Sequence, residues 1–342
     1  MSLRDQWGRE IDYMRVSVTD RCNLRCRYCM PHGIECVSME EILTLEEYVR
    51  VGACAAALGI RKIKITGGEP LVRRGCCELI RMLKNTEGIE KVTITTNGVL
   101  LGQYLEELLD AGIDGINISL DTLDLDLYEA LTGGGDLNQV LEAVRRTVTA
   151  CEGRNIPVKI NAVSLDLKEV AGQLGCRYEG PGWTELLELA RRYPLDVRFI
   201  EMMPIGCGKQ YRSVDHQEIE RELAGRYPGM ERDERVHGYG PAVYYRIPGF
   251  RGSVGLISAL HGKFCCSCNR VRLTSKGYFK TCLCYEDGVD LREILRGGGS
   301  EIQMQKKLSD TMRAAVRGKP KAHCFEHPEQ MTETGLMARI GG

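Results

Sequence analysis

Six short stretches of this chain alternate apolar and polar residues with a period of two, and helical stretches separate them. The alternation predicts strands at Met14–Thr19, Lys62–Thr66, Lys91–Thr96, Gly115–Leu120, Val158–Val163 and Val197–Ile200. Between them, Leu45–Leu58 carries an apolar helical face, and Thr44 with Glu47 predicts a capping box at its start. Strands spaced by helices imply a parallel sheet or a βα barrel. Six units are too few to close an eight-stranded barrel. The expected fold class is therefore α/β, an open partial (βα)6 TIM-type barrel. Parallel strands covered on both faces normally read as continuous apolar runs, but here one face of every strand is polar. Arg15 and Ser17 interleave with Val16 and Val18; Lys62, Lys64 and Thr66 with Ile63 and Ile65. Thr93 and Thr95 flank Ile94, Asn117 and Ser119 flank Ile118, Lys159 and Asn161 flank Ile160, and Arg198 lies between Val197 and Phe199. If the apolar face packs on the helices, the polar face lines a wet lumen that takes a ligand. The cations Arg15, Lys62, Lys64, Lys159 and Arg198 would repel one another there without an anion. Carboxylates of the chain could serve, but Glu69, Asp121 and Glu201 fall at strand ends. A polyanion such as a nucleoside triphosphate fits better, and no G-x4-G-K-[ST] loop makes it a P-loop site.

Residues 19–30 place Cys22, Cys26 and Cys29 at C-x3-C-x2-C spacing. Three thiolates ligate three irons of a cubane [4Fe-4S] cluster and leave one iron open. A zinc knot completed by His32 or Cys36 is the alternative. A second group stands near the other end. Cys265, Cys268 and Cys282 have C-x2-C-x13-C spacing, and Cys284 would complete a zinc ribbon; a second three-cysteine cluster is the other reading. Arg270 and Arg272 share one face beside it and suit phosphate, which Arg binds bidentately. Sixteen cysteines without a visible leader point to metal ligation in a reducing compartment, the cytoplasm. A formal net charge of −1 and few aromatics argue against nucleic acid, and no long apolar run predicts a membrane span. The strand–helix alternation stops at about residues 209–217. The expected division is 1–217 for the barrel and 218–342 for a smaller C-terminal region with the second cluster. Residues 166–182 read as a surface loop or a degenerate helix.

The first motif, with Tyr28 before its third cysteine and the turn Thr66-Gly67-Gly68-Glu69-Pro70, resembles the radical S-adenosylmethionine (SAM) superfamily. With the second group Phe264-Cys265…Cys268-Asn269-Arg270-Val271-Arg272-Leu273-Thr274 and a terminal Gly-Gly, the chain resembles the GTP 3′,8-cyclase family of molybdenum cofactor biosynthesis. The resemblance spans nearly the whole chain. It implies two [4Fe-4S] clusters, held by Cys22, Cys26, Cys29 and by Cys265, Cys268, Cys282. It implies SAM contacts at Tyr28, Gly68, Ser119 and Met203, and GTP contacts at Arg15, Lys64, Thr95, Lys159, Arg270, Val271 and Arg272. Arg198 and the tail, Gly341 and Gly342, carry catalytic roles on the same basis. The implied reaction splits SAM into methionine and 5′-deoxyadenosine and closes GTP to (8S)-3′,8-cyclo-7,8-dihydroguanosine 5′-triphosphate. The implied partners are a flavodoxin- or ferredoxin-type electron donor and a downstream cyclic pyranopterin monophosphate synthase, with room for a homodimer. A peptide-modifying radical SAM enzyme is a rival class.

Overall fold

The computed structural model describes residues 2–34 and 37–340. From the N-terminus the chain forms β1 (Tyr13–Ser17), α1 (Leu45–Leu58), β2 (Lys62–Thr66), α2 (Cys76–Lys84), β3 (Lys91–Thr96), α3 (Leu101–Asp110) and β4 (Ile116–Ser119). Helices α4 (Leu125–Thr132) and α5 (Leu137–Cys151) precede β5 (Val158–Val163); α6 (Leu167–Leu174) and α7 (Leu187–Arg192) precede β6 (Asp196–Ile200). Then come α8 (His216–Arg226), β7 (Glu231–Arg232), β8 (Val243–Arg246), β9 (Val254–Ile257), β10 (Arg270–Leu273), β11 (Tyr278–Lys280), β12 (Gly288–Asp290), α9 (Arg292–Arg296) and α10 (Glu301–Arg317).

All six expected strands form, and β1 to β6 pair in chain order, every pair parallel. The sheet does not stop at six. β10 lies parallel to β1, and β9 lies parallel to β6, so the parallel array has two more staves than the alternation predicted. Antiparallel strands then extend both edges, β11 and β12 on one side and β8 and β7 on the other. Among the described residues β12 and β7 do not meet, so the barrel is open.

The apolar face is the structural one. Val16, Ile63, Ile65, Ile94, Ile118, Ile160, Val197 and Phe199 are buried in one core with the helices. Burying a side chain of this size stabilises by roughly 1.5–3 kcal/mol. A slip of one residue would turn that whole set into the lumen, so the period of two fixes the register. Helix α1 has the predicted box: Thr44 Oγ1 accepts from the Glu47 amide at 3.2 Å, and Glu47 Oε2 accepts from the Thr44 amide at 2.8 Å. Residues 166–182 do contain a helix, α6. Asp166 caps its start by accepting from the Glu169 amide at 3.1 Å, and Gly175 ends it at φ 70°. Several glycines in that stretch dilute the periodicity that would have announced it.

Candidate functional site

The loop after β1 carries Cys22, Cys26 and Cys29 into a cavity of about 270 Å³ at the C-terminal ends of the strands. Tyr28, Gly68, Ser119 and Met203, the expected SAM contacts, line the same cavity, with Arg15 and Thr95. Gly67 and Gly68 are needed for a close approach. A Cβ on Gly67 would lie 2.6 Å from the Thr19 carbonyl, and one on Gly68 would lie 2.4 Å from that of Arg21. Their absence of side chains lets the turn after β2 pack directly on the backbone that leads into the cysteine loop.

Two carboxylates stand over the cavity. Glu69 is fully buried; it accepts from Thr96 Oγ1 at 2.7 Å, the Asn97 amide at 2.6 Å and the Leu71 amide at 3.1 Å. Burial still pushes it up to about 7, against those three bonds. Asp121 accepts from Tyr28 Oη at 2.6 Å and from the Val163 amide at 2.8 Å, and burial pushes it up to about 6. The thiols respond in the same direction. Burial, then the other thiols and Asp121, push Cys26 well up, and burial with Cys22 pushes Cys29 up to about 12. Three thiolates are therefore untenable here without a cationic group among them. The donor set fits a cluster held by Cys22, Cys26 and Cys29. His32, the zinc alternative, is exposed, and Cys36 lies outside the described residues.

Below the cavity the polar faces form a continuous field. Arg15 stands between Lys64 on β2 and Arg272 on β10, and Asn161 beside Arg198. Arg198 Nη2 donates to Asn117 Oδ1 and Asn161 Oδ1, both at 2.5 Å. The expectation of five unneutralised cations is corrected at two. Lys62 Nζ pairs with Asp12 Oδ2 at 2.5 Å, and Lys159 Nζ with Asp196 Oδ2 at 2.5 Å. The sequence places Asp196 two residues before Arg198 on the same face; that it stands opposite Lys159 is set by the pairing of β5 with β6. Among the described residues Arg15, Lys64 and Arg198 have no such partner. Burial, then Arg198, Arg15, Lys159 and Arg270, push Lys64 well below its usual range. Burial with Arg270 and Arg198 brings Arg15 down to about 10. Arg15 Nε, Thr95 Oγ1, Arg198 Nε and Arg270 Nε are buried without a hydrogen-bond partner. Such groups are normally satisfied. Val271 differs from its neighbours: its side chain is buried in the core, so only its backbone faces this field.

The second cysteine group is assembled from distant segments. Cys265 and Cys268 precede β10, and Cys282 follows β11. Arg9, ion-paired to Asp5 at 2.5 Å, donates to the Cys265 carbonyl at 2.7 Å. Lys319, 2% exposed, donates to the carbonyls of Thr281 and of Arg270, the latter at 2.9 Å. Burial raises the Cys268 thiol, but Lys319, Arg270, the Arg270 amide and Arg9 together bring it down to about 7. The cations thus favour the Cys268 thiolate, while burial raises the Cys282 thiol. The Cys284 sulfur lies 3.4 Å from Cys324 Sγ, in an apolar cluster with Phe325 and Ile340 against which Cys282 also packs. Arg9 and Lys319 carried no motif and were missed.

The C-terminal segment reaches the first site. Met337 lines its cavity, the Ala338 amide donates to Cys29, and Ile340 is 5% exposed. A frayed end does not describe residues 337–340. Gly341 and Gly342 lie outside the described residues.

Residues 16–164 match the radical SAM superfamily, and residues 195–325 match Molybdenum Cofactor Synthesis C. A GTP 3′,8-cyclase of Clostridium perfringens is 38% identical over 342 residues, covering 99% of this chain and 100% of its own. One from Alkaliphilus oremlandii is 39% identical over 344 residues, covering 99% of this chain and 100% of its own. Among solved structures, Streptococcus suis SuiB bound to S-adenosylmethionine is similar with a TM-score of 0.62 at 13% identity, covering 96% of this chain and 77% of that one. The fold is shared with that protein. No helix among the described residues is long and apolar enough to cross a membrane.

Proposed function

The chain belongs to the GTP 3′,8-cyclase family of radical SAM enzymes, and we propose that its lumen holds SAM at the cysteine-lined end and GTP among the cations below it. The observation that carries this reading is the group of buried lumen cations, Arg15, Lys64 and Arg198, with no carboxylate partner among the described residues and with Arg15 Nε and Arg198 Nε lacking a hydrogen-bond partner, which a polyanion relieves. A [4Fe-4S] cluster on Cys22, Cys26 and Cys29 supplies, when bound, the electron that splits SAM. Glu69 presents a buried carboxylate suited to the SAM ammonium. Tyr28, fixed by Asp121, Ser119 and Met203 shape the rest of that end. Arg15, Lys64, Lys159, Arg198, Arg270 and Arg272 hold the triphosphate, and Thr95 donates to the nucleotide. Cys265, Cys268 and Cys282 hold a second cluster against the guanine side. The 5′-deoxyadenosyl radical takes the C3′ hydrogen atom and leaves as 5′-deoxyadenosine, the C3′ radical bonds to C8, and uptake of a second electron and a proton gives 3′,8-cyclo-7,8-dihydro-GTP. The product passes to a cyclic pyranopterin monophosphate synthase, and a flavodoxin- or ferredoxin-type protein supplies both electrons.

The test is anaerobic turnover with GTP deuterated at C3′. Deuterium should appear in 5′-deoxyadenosine, and the cyclised nucleotide should accumulate. Unlabelled 5′-deoxyadenosine with GTP recovered intact would reject the reading. The peptide-modifying alternative gains nothing from the likeness to SuiB, since 13% identity carries fold alone. The tail belongs to the same proposal: deleting Gly341 and Gly342 should stop cyclisation while iron content and thermal stability stay at the full-length values. Retained cyclisation would assign the tail no part in the reaction.

A further inference from the structure

We propose that Asp196 and His237, on the floor of the lumen, are positioning residues for Lys159 and that the charge of His237 sets how strongly Lys159 holds the nucleotide's phosphates. The inference rests on Lys159 being a GTP contact.

Lys159 is 7% exposed at its side chain, with Nζ 2.5 Å from Asp196 Oδ2 and 3.4 Å from Tyr244 Oη. An ammonium bound this closely to a carboxylate is a poor partner for a second anion unless the carboxylate is itself shared. His237 shares it. Its Nδ1 lies 3.0 Å from the same Asp196 Oδ2, and its Nε2 lies 2.9 Å from Asp233 Oδ2. A neutral imidazole has one N–H and one bare nitrogen, so it cannot donate to both carboxylates. Only the imidazolium satisfies this geometry. The ring is held in place by stacking on Tyr244, with centroids 4.0 Å apart and planes at 14°.

The surroundings define the charges that act. From β5 comes Lys159, from β6 Asp196, and from β8 Tyr244; Asp233 and Arg235, paired at 2.5 Å, come from the segment that carries His237 itself. Ser253 Oγ donates to Asp233 at 3.2 Å. A cavity of about 420 Å³ opens on this side, lined by Lys159, Asp196, His237 and Glu152, and Glu152 pairs with Arg251 at 2.7 Å. Protons from solvent can therefore reach the ring. Hydrogen bonding to Asp196 raises His237 above its ordinary range, against burial. Below that raised value the imidazolium draws on Asp196 and leaves Lys159 available to phosphate. Above it the floor loses one positive charge, Asp196 falls to Lys159 alone, and the hold on a polyanion weakens.

The test uses the anaerobically reconstituted full chain. GTP and guanosine affinities are measured from pH 7 to 9 for wild type, His237→Gln and His237→Lys. Wild-type GTP affinity should fall with rising pH as the imidazolium loses its proton. His237→Gln should bind GTP weakly and without pH dependence, and His237→Lys tightly throughout. Guanosine, lacking phosphates, should respond to neither pH nor variant. A flat wild-type profile, a shared profile for wild type and His237→Gln, or equal weakness of His237→Lys and His237→Gln would each overturn the inference. If the wild type binds SAM but no GTP at any pH, the nucleotide reading of the lumen fails, and this inference with it.

Discussion

The two cysteine trios have the same number of thiols and different charged neighbours. The first is contiguous, Cys22 to Cys29, and stands under buried carboxylates, Glu69 and Asp121. Burial and negative neighbours push its thiols up. The second is drawn from both sides of β10 and β11 and is bracketed by Arg9, Arg270 and Lys319; these bring Cys268 down to about 7, while burial raises Cys282. The difference teaches that spacing specifies a ligand set while the neighbours specify its charge. Around the first trio, a set of thiolates needs positive charge from whatever binds there. Around the second it is already built in, beside the site read as taking the anionic substrate.

The strongest way to separate the trios is to remove a ligand from each. Cys26→Ala should abolish SAM cleavage and cyclisation alike, a loss of 10³-fold or more that corresponds to about 4 kcal/mol of barrier. Cys282→Ala should stop cyclisation but leave slow SAM cleavage, with iron falling from about eight to about four per chain. Equal loss of SAM cleavage in both variants would erase the distinction.

Next in size is the cation field between them. Lys64→Ala should weaken GTP binding by roughly 1.5–3 kcal/mol, the range for hydrogen bonds to charged groups. SAM binding should change little. A variant that loses SAM and keeps GTP would show that the two ligands occupy the opposite ends.

The built-in charge of the second trio is tested by Lys319→Met. It leaves the Thr281 and Arg270 carbonyls without their donor, at about 1–3 kcal/mol. The Cys268 thiol should then titrate above the value of about 7 that it has now, because a cation that lowers it is gone. Alkylation rates of the cluster-free chain against pH read this directly. An unchanged Cys268 profile would mean that Lys319 braces the backbone only.

The last test concerns the first trio's carboxylates. Glu69 and Asp121 are raised in the fold, to about 7 and about 6. Their protonated forms are thus favoured by folding, and the native chain binds more protons than the unfolded one between about pH 4 and 7. Stability without ligands should fall as pH rises through that window and level off above it. Thermal melts at pH 5, 6 and 8 measure the fall, and SAM should reduce it. A rise in stability over the same window would show both carboxylates to be solvated or paired.

Much of the site was legible because its signals are local. The alternation in β1 to β6 follows from side chains pointing to opposite faces of a strand, and it marked Arg15, Lys64 and Arg198 as lumen groups before any coordinates. The spacing of Cys22, Cys26 and Cys29 is local in the same sense. What a sequence does not carry is adjacency between distant segments. β10 joins β1 across more than 250 residues, and the C-terminal strands thereby place Arg272 beside Arg15. Arg9 and Lys319 meet the second trio from the two ends of the chain. Asp196 meets Lys159 and His237 only when β5, β6 and the segment before β8 are side by side. Cys284 shares the spacing of a ligand, and its sulfur lies beside that of Cys324. By itself the sequence determined the strand register, the polar lumen and the spacing of the first three cysteines, because each rests on residues a few positions apart. Only the tertiary structure decided which charges are neutralised and which await a ligand, because Coulomb energies depend on distance and burial, and neither is written along the chain.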